Sequence, residues 1–355
     1  MLFIGSICAL ITSAIMYRLA RRESWPFVVE QILCEVKYTV VAVIDLIFDW
    51  IHAKSNKNEH SSQAGRIAII TGGSRGIAVE VVKMLLQHDM EVIIACRRPA
   101  AGEKTILQIR ESGITTGKMR VYKMDNASLE SVKRFAAEIK RDYKQIHVLI
   151  NNAGVMFCPY EETVDGFEQQ WGVNYLSHFL LTALLLPLLK AGGLPQQCSR
   201  IVNISSCAHL LGKINFADIN HNKQKNFLSG YAYAQSKLAL EVFTKKLQNL
   251  LKEHKYNVQT YSVHPGIILT ELFMHSYLWR FKSIIKYFLK APKDGATSIV
   301  YAALNKAIEN SGGAYITNCR PTSVNPDVLD PSIQDQLLEL SLQQAQLKDF
   351  FQFTQ

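Results

Sequence analysis

Short apolar strands alternate with longer helical patterns from Arg66 onward, and this alternation constrains the fold more than any other feature of the chain. Strand-like runs occupy residues 67–71, 91–96, 119–124, 147–150, 200–205 and 258–263, and helical patterns fill residues 78–87, 129–143, 167–190 and 231–254. Strands that are apolar throughout are buried on both faces, and helical crossovers make neighbouring strands parallel. The sequence therefore predicts an α/β domain with a doubly wound, mostly parallel sheet of about seven strands.

A glycine-rich loop, TGGSRGIA, follows the first strand at Thr71–Ala78. Ligands of doubly wound sheets bind beyond the carboxyl ends of the strands, where this loop lies. Gly72 and Gly76 permit a tight turn and let the backbone approach a phosphate at the start of the next helix. Two glycines can also serve as a simple turn, but their place after the first strand favours a dinucleotide site.

Basic side chains stand at the end of the second strand, the position that distinguishes the two nicotinamide cofactors. An acidic residue there binds a ribose 2′-hydroxyl, whereas arginine accommodates a 2′-phosphate. The chain has Arg97 and Arg98 at this point, Arg75 in the glycine loop, and no acid before Glu103. We therefore expect NADP(H) to be preferred, with NAD(H) as the alternative; solvated surface arginines are the other explanation of the pattern.

Tyr233 and Lys237 are four residues apart in YAQSK, within a helical pattern. Both side chains therefore project from one helical face, where an ammonium beside a phenol favours the phenolate and lowers its pKa. Such a pair is a candidate for proton transfer. The same spacing also arises by chance as a surface pair, so its meaning depends on the motifs around it.

Four further motifs follow strand ends or lie in helices: NNAG at 151–154, VNYLSHF at 173–179, ISS at 204–206 and HPG at 264–266. With the glycine loop and YAQSK they span about residues 66–322. In their order and spacing they resemble the short-chain dehydrogenase/reductases, and within that family the membrane-anchored retinol dehydrogenase group. The resemblance implies a Rossmann fold and an oxidoreductase that interconverts an alcohol and its aldehyde or ketone by hydride transfer.

The resemblance also implies residue roles. Tyr233 would exchange a proton with the substrate oxygen, Lys237 would bind the nicotinamide ribose and lower the Tyr233 pKa, Ser206 would hydrogen-bond the carbonyl, and Asn174 would hold the water of a proton relay. The implied cofactor site comprises Gly72, Ser74, Arg75, Gly76, Ile77, Arg97, Asp125, Asn152, Ala153, Gly154, Tyr233, Lys237, Pro265, Gly266 and Thr270. The chain departs from the family's pattern at Ala78, which stands in place of a third glycine.

The N-terminus predicts a membrane anchor. Leu2–Tyr17 is an uncharged run that Arg18, Arg21 and Arg22 follow, whereas a secretory signal carries its positive charge before the apolar run. A cleaved signal remains the alternative. Because positive charge stays on the cytosolic side, we expect a membrane location, in the endoplasmic reticulum, with the catalytic domain in the cytosol.

A second apolar stretch, Tyr38–Ile51, carries Asp45 and Asp49 on one helical face, with Ile44 among the apolar side chains of another. This pattern predicts an interfacial helix, because a second span would place two carboxylates in lipid. The expected organisation is an anchor at 1–22, an interfacial region at 23–54, a linker at 55–65, the catalytic domain at 66–325 and a helical tail at 326–355.

The expected partners are a lipophilic small molecule and a membrane. The segment Met274–Lys290 occupies the position of the family's substrate lid, and Lys282, Lys286 and Lys290 predict a basic face beside apolar side chains. A retinoid, a polyisoprenoid or a steroid suits such a site. A solvated helix packed on its own domain is the alternative reading of this segment, and the resemblance leaves a homodimer open.

Other function classes receive little support. The net charge of +9 comes without a run of Lys and Arg, so no nucleic-acid partner is expected. The seven cysteines form no CxxC pair and no cluster with metal-ligand spacing, so neither a metal nor a disulfide framework is expected. A non-catalytic cofactor sensor or scaffold at the membrane remains an alternative, and Ala78 alone favours it. A sugar-nucleotide epimerase is disfavoured by the spacing of the glycine loop.

Overall fold

A computed structural model describes residues 25–52, 61–221, 227–268, 270–275 and 289–354. The proposed anchor at 1–22 lies outside the described residues, as do most of the linker and residues 276–288 of the expected lid.

The sheet has eight strands in the described part of the chain, in the order β3-β2-β1-β4-β5-β6-β7-β8. All neighbouring strands are parallel except β7 and β8. The strands are β1 Ile67–Thr71, β2 Glu91–Cys96, β3 Lys118–Lys123, β4 Val148–Asn151, β5 Ser199–Ile204, β6 Val258–His264, β7 Ala314–Thr317 and β8 Arg320–Thr322. This sheet confirms the predicted doubly wound fold, and its strand order reverses between β1 and β4, where ligands bind in such folds.

Helices cover both faces of the sheet. They are α1 Trp25–His52, α2 Ile77–Gln87, α3 Pro99–Glu111, α4 Leu129–Asp142, α5 Gln169–Gly192, α6 Ser229–Glu253, α7 Pro292–Leu304 and α8 Pro331–Ala345. One core lies between the sheet and α4, α5, α6 and α8, and a second lies between the sheet and α2, α3 and α7. Because both faces of the sheet are packed, the strand ends that carry the loops are held in place.

The helix α5 lies in the first core. Among the described residues it alone is long and apolar enough to cross a membrane, but 94% of its apolar window is buried inside the protein. Helices that are apolar all round are typical of buried cores as well as of membranes. The burial assigns α5 to the core.

The C-terminal helix α8 supports the start of α5. The Trp171 indole donates a 2.9 Å hydrogen bond to Gln344 Oε1, and the Tyr175 hydroxyl lies 2.6 Å from Ser341 Oγ. Both Trp171 and Tyr175 are fully buried. The tail therefore completes the core on this side of the sheet.

The helix α1 is longer than the predicted stretch and lies against the turn at 207–211 and against α6. Asp45 and Asp49 are its buried polar residues, 8% and 5% exposed, and they contact His264 and Lys290 of the α/β domain. Its opposite face exposes apolar side chains, namely Val29, Leu33, Val36, Val40, Ile44, Ile47, Trp50 and Ile51. The acidic face of α1 is turned inward, and Ile44 and Ile51 of the predicted apolar face are exposed.

Lys290 differs from its expected place on a basic surface of the lid. Its side chain is 9% exposed and its ammonium lies 2.7 Å from Asp49 Oδ1. A charge this deeply buried needs a partner, and the carboxylate of α1 supplies it. The expected companions Lys282 and Lys286 lie outside the described residues.

Candidate active site

Thr71, the last residue of β1, joins two of the predicted cofactor loops. Its hydroxyl oxygen accepts hydrogen bonds from the backbone N–H groups of Asn152 and Ala153, at 2.9 and 2.8 Å. The Asn152 amide donates to the Thr71 carbonyl at 2.8 Å. The NNAG loop after β4 is therefore fixed beside the glycine loop after β1.

His178 of α5 holds the Thr71 hydroxyl in turn. The His178 Nδ1 lies 3.0 Å from the Asn174 carbonyl and so must donate, which leaves Nε2 to accept from Thr71 at 2.9 Å. Burial lowers the pKa of His178 to about 4, so the ring is neutral at physiological pH. Sequence reasoning did not single out this residue, although it lies in the VNYLSHF motif.

The glycine loop has the backbone that its sequence predicts. Gly72 and Gly76 have φ angles of 69° and 63°, a region that side chains rarely tolerate. A Cβ on Gly72 would lie 3.1 Å from the Ala153 Cα. Ala78 is fully buried on α2, so the departure from the family's pattern is accommodated by packing. The loop therefore meets the NNAG segment closely and leads directly into the α2 N-terminus.

The glycine loop and the segments beside it fit a dinucleotide. The α2 N-terminus begins at Ile77, directly after Gly76, and presents free backbone N–H groups to a phosphate. A Cβ on Gly76 would lie 3.7 Å from the Thr270 side chain, so the loop after β6 approaches the glycine loop. A Cβ on Gly154 would lie 3.2 Å from Asn174 Oδ1 and 3.8 Å from Lys237 Nζ. The predicted cofactor residues from three loops therefore surround one cleft.

The arginines predicted to choose the cofactor are exposed. Arg97 follows β2 directly and is exposed. Arg75 is exposed as well, and its guanidinium lies 2.9 Å from Glu271 Oε2. An exposed ion pair contributes at most about 1 kcal/mol, so a phosphate can compete for Arg75. Asp125, after β3, accepts a 3.0 Å hydrogen bond from the Ala127 N–H in a local turn.

Tyr233, Lys237 and Ser206 come together where β5 ends against α6. The Lys237 ammonium donates a 2.7 Å hydrogen bond to the Ile204 carbonyl and lies 5.6 Å from the centre of the Tyr233 ring. Burial raises the pKa of the Tyr233 phenol, and hydrogen bonding with Ser206 acts in the opposite direction. Burial thus acts against the lowering of the Tyr233 pKa that was expected from Lys237.

Asn174 reaches the same cleft through an irregular turn of α5. Residues Gly172–Leu176 form a π-helical turn, which is rare and frequent at functional sites. The Asn174 Oδ1 accepts from the Val155 N–H at 2.8 Å, and its Nδ2 donates to the Val155 carbonyl at 3.0 Å. Both ends of the amide are therefore held, which fixes the side chain next to Gly154.

A buried carboxyl lies one helical turn beyond the lysine. Burial lowers the pKa of Lys237 to about 8, and the nearby Glu241 counteracts this lowering. Burial also raises the pKa of Glu241 to about 7, although Ser262 donates a hydrogen bond to it. Sequence reasoning did not identify Glu241; its signal is the four-residue spacing that continues the face of Tyr233 and Lys237.

An apolar cluster borders the Tyr233 ring. It consists of Met156, Phe157, Ala208, Leu272 and Tyr38 of α1, together with Tyr233 itself. The ring of Phe157 packs edge-on against those of Tyr233 and Tyr38, with centroids 5.6 and 5.2 Å away. The Tyr38 hydroxyl donates to the Gly230 carbonyl at 2.8 Å. The helix α1 thus contributes directly to the surroundings of the predicted catalytic tyrosine.

Comparison with known proteins agrees with this geometry. The family model for short chain dehydrogenase matches residues 66–280. The chain belongs to this family. Human retinol dehydrogenase 12 is 39% identical over 78% of this chain and 85% of its own length. Human polyprenol dehydrogenase is 36% identical over 80% of this chain and 86% of its own length.

Solved structures show the same fold. A Mycobacterium paratuberculosis protein aligns with a TM-score of 0.64 and 31% identity, covering 81% of this chain and 96% of that one. An active-site complex of RhlG with NADP from Pseudomonas aeruginosa aligns with a TM-score of 0.58 and 25% identity, over 73% and 97% of the two chains. The protein is therefore an NAD(P)-dependent short-chain dehydrogenase/reductase that acts on CH–OH groups.

The substitution Glu241→Gln tests the buried carboxyl through its effect on stability. A raised pKa in the folded state means that ionisation of Glu241 opposes folding above its ordinary pKa of 4.5. The variant should therefore match the wild type near pH 4.5 and gain stability as the pH rises to about 7, by at most about 3 kcal/mol. Urea denaturation at a series of pH values measures this gain.

The control for this prediction is Glu253→Gln, at the exposed end of the same helix. Its stability difference from the wild type should change little with pH. A Glu241→Gln variant that loses stability between pH 5 and 7 would show that the ionised carboxylate stabilises the fold.

Proposed function

We propose that the protein is a membrane-associated, NADP(H)-dependent oxidoreductase that interconverts a lipophilic alcohol and its aldehyde or ketone. Tyr233, Lys237, Ser206 and Asn174 are its catalytic residues in this proposal. The observation that carries it is that Tyr233, which has Ser206 and Lys237 beside it, belongs to an apolar cluster. Polar groups at the base of an apolar site orient a substrate oxygen while its hydrocarbon part is buried.

The side chains have separate roles in the reaction. The dinucleotide, when bound, supplies or accepts the hydride. The Tyr233 hydroxyl gives a proton to the substrate oxygen during reduction and takes it back during oxidation. The Ser206 hydroxyl hydrogen-bonds the same oxygen and stabilises the charge that develops on it. Lys237 binds the ribose, and its cation offsets the effect of burial on the phenolate of Tyr233.

The position of Asn174 supports a proton relay. Its amide is fixed beside Gly154, and a Cβ on Gly154 would lie 3.2 Å from the Asn174 Oδ1 and 3.8 Å from the Lys237 ammonium. Between these groups a water can accept and donate hydrogen bonds, which lets a proton pass from the buried tyrosine towards solvent. This relay would keep Tyr233 in the protonation state that each direction needs.

The preference for NADP(H) is supported by two exposed arginines. Arg97 stands where an acid would select NAD(H), and Arg75 lies in the glycine loop. Glu271 neutralises Arg75 in part, so Arg97 carries more of the expected selectivity. A cytosol-facing site with this preference favours reduction of the carbonyl.

Membrane association is supported by the outer face of α1. Its exposed apolar side chains recur every three to four residues from Val29 to Trp50, and Trp25 and Trp50 stand near its ends. Helices with one apolar face lie in the plane of a bilayer surface, and tryptophan is enriched at that depth. The uncharged run Leu2–Tyr17 precedes this helix, so the proposed anchor would bring α1 to the bilayer. We place the protein in the endoplasmic reticulum with its catalytic domain in the cytosol.

The substrate class follows from the apolar surroundings and from the location. Phe157, Met156 and Leu272 offer an apolar surface beside Tyr233. A substrate that partitions into the bilayer would reach this surface along α1, whose Tyr38 belongs to the same cluster. Retinol and polyprenol dehydrogenases among the relatives support a retinoid or a polyisoprenoid, and a steroid fits the same chemistry.

The substitution Tyr233→Phe should remove the proton donor and leave the ring packing intact. We expect turnover of retinal to fall by at least about a hundredfold, the lower range for general acid catalysis. The affinity for NADPH should stay within about twofold, because the ring remains in place and the other residues of the implied cofactor site are unchanged. Turnover and NADPH fluorescence titration measure the two quantities.

Tyr231→Phe is the matched control, two residues earlier on α6 and outside the proposed catalytic set. It should retain the activity of the wild type. Activity retained in Tyr233→Phe would refute the assignment of the catalytic acid.

The substitution Arg97→Glu tests the choice of cofactor. A charge-assisted hydrogen bond to the 2′-phosphate contributes about 1.5–3 kcal/mol, so NADPH affinity should fall by about tenfold or more. NADH affinity should hold or rise, because an acidic residue at this position binds the ribose 2′-hydroxyl. Titration with both cofactors gives the ratio of the two affinities. Arg141→Glu, on the exposed surface of α4, is the control. Equal losses for the two cofactors would contradict the assigned role of Arg97.

A further inference from the structure

The acidic face of α1 is bonded to the loop that follows β6. The His264 Nε2–H donates to Asp45 Oδ2 at 2.8 Å, and His264 directly precedes Pro265 and Gly266. Burial works against a charged imidazole, but the Asp45 carboxylate, together with the nearby Cys207, outweighs it and raises the pKa of His264 well above its usual range. Burial by itself would raise the pKa of Asp45, and His264 lowers it. Both groups are therefore ionised at neutral pH, and the pair is a buried ion pair.

A second buried ion pair lies one helical turn further along α1. Lys290 donates to Asp49 Oδ1 at 2.7 Å and to Asn318 Oδ1 at 2.7 Å. The Asn318 amide donates to the same Asp49 oxygen at 2.8 Å. Three polar side chains from distant parts of the sequence thus form one closed set of hydrogen bonds. Such a set allows few alternative arrangements, which makes it a rigid attachment.

This second pair is attached to the same loop through the backbone. The Lys290 N–H donates to the Ile267 carbonyl at 3.2 Å, and residue 290 forms a parallel bridge with Ile268. Gly266 has a φ angle of 90°, and a Cβ there would lie 2.7 Å from Asp49 Oδ2. The carboxylate of α1 therefore rests directly on the backbone of the loop at Gly266.

We infer that Asp45 and Asp49 of α1 are positioning residues for the nicotinamide end of the cofactor site. The inference rests on the proposed function, in which Pro265, Gly266 and Thr270 contact the cofactor. The two pairs hold the loop 264–268 in the conformation that receives the cofactor, and they hold it from a helix outside the matched family domain, residues 66–280. Cofactor affinity is then coupled to the docking of α1.

The direction of the coupling follows from the same contacts. Removal of one carboxylate leaves a cation buried without its partner, so the loop must move to let water reach it. A displaced loop no longer meets the cofactor in the right geometry, and a shift of about 1 Å is enough to lower both affinity and rate. By reciprocity, cofactor binding must strengthen the attachment of α1.

Asp49→Asn and Asp45→Asn in the full-length, detergent-purified protein test the inference. Fluorescence titration should show NADPH dissociation constants at least about tenfold above that of the wild type. Glu30→Gln, an exposed carboxyl on the same helix, is the matched control and should bind NADPH as the wild type does. Wild-type affinity in both aspartate variants would overturn the inference.

A conservative variant and a double variant separate positioning from a general loss of stability. Lys290→Arg keeps the charge and should bind NADPH within about threefold of the wild type, whereas Lys290→Met should match Asp49→Asn. The double variant Asp49→Asn, Lys290→Met should be no worse than either single variant, because the two act through one pair. If the two substitutions lowered NADPH affinity additively, Asp49 and Lys290 would not act through one ion pair.

A measurement on the unaltered protein covers the case in which a variant does not fold. NADPH should slow hydrogen exchange in the loop 264–268 and in residues 45–52 of α1 at the same concentration. Protection of the loop without any change in α1 would overturn the inference while the proposed function stands. A wild-type protein that binds no NADPH would instead refute the proposed function.

Discussion

The arrangement of the site depends on the hydrogen bonds of the Thr71 hydroxyl. This hydroxyl accepts from two backbone N–H groups of the NNAG loop and donates to His178, so it joins β1, the loop after β4 and α5 at one point. The strand order reverses between β1 and β4, and a parallel sheet gathers its strand ends there. Asn174 of the same helix α5 and Lys237 of α6 approach Gly154. The site is rigid because each of its loops is held by a group from another element.

The helix α1 adds a second constraint, which the family domain alone does not contain. Its two aspartates are buried against the loop after β6, and its Tyr38 packs near Tyr233, while its opposite face is apolar and exposed. A helix with its charged face inward and its apolar face outward is the reverse of an ordinary surface helix. In the proposed account one helix therefore meets the bilayer on one side and the active site on the other, which places a lipophilic substrate next to its point of reaction.

Most of the sheet could be predicted from the sequence, because strand-like runs of four to six residues mark the strands. β1 and β2 lie at the predicted residues, and the bounds of β3 differ by one residue. The strands β7 and β8 have only four and three residues, too few to show an alternation of apolar and polar side chains, so the sequence did not predict them. The sequence predicted two faces on α1 but not which of them packs on the protein, because Asp45 and Asp49 meet partners 219 and 241 residues away. The π-helical turn at Asn174 and the burial of Glu241 depend on the same kind of long-range packing.

Product analysis by mass spectrometry is the most direct test of the proposed activity. The full-length protein in detergent would be given NADPH and carbonyl compounds of increasing apolar size, from short aldehydes to a steroid ketone, retinal and a polyprenal. The account predicts alcohol products from the large apolar compounds and little from the short ones, because the cluster beside Tyr233 binds hydrocarbon. NADPH binding without any alcohol product across the series would contradict the account and favour a cofactor-sensing or scaffold protein at the membrane.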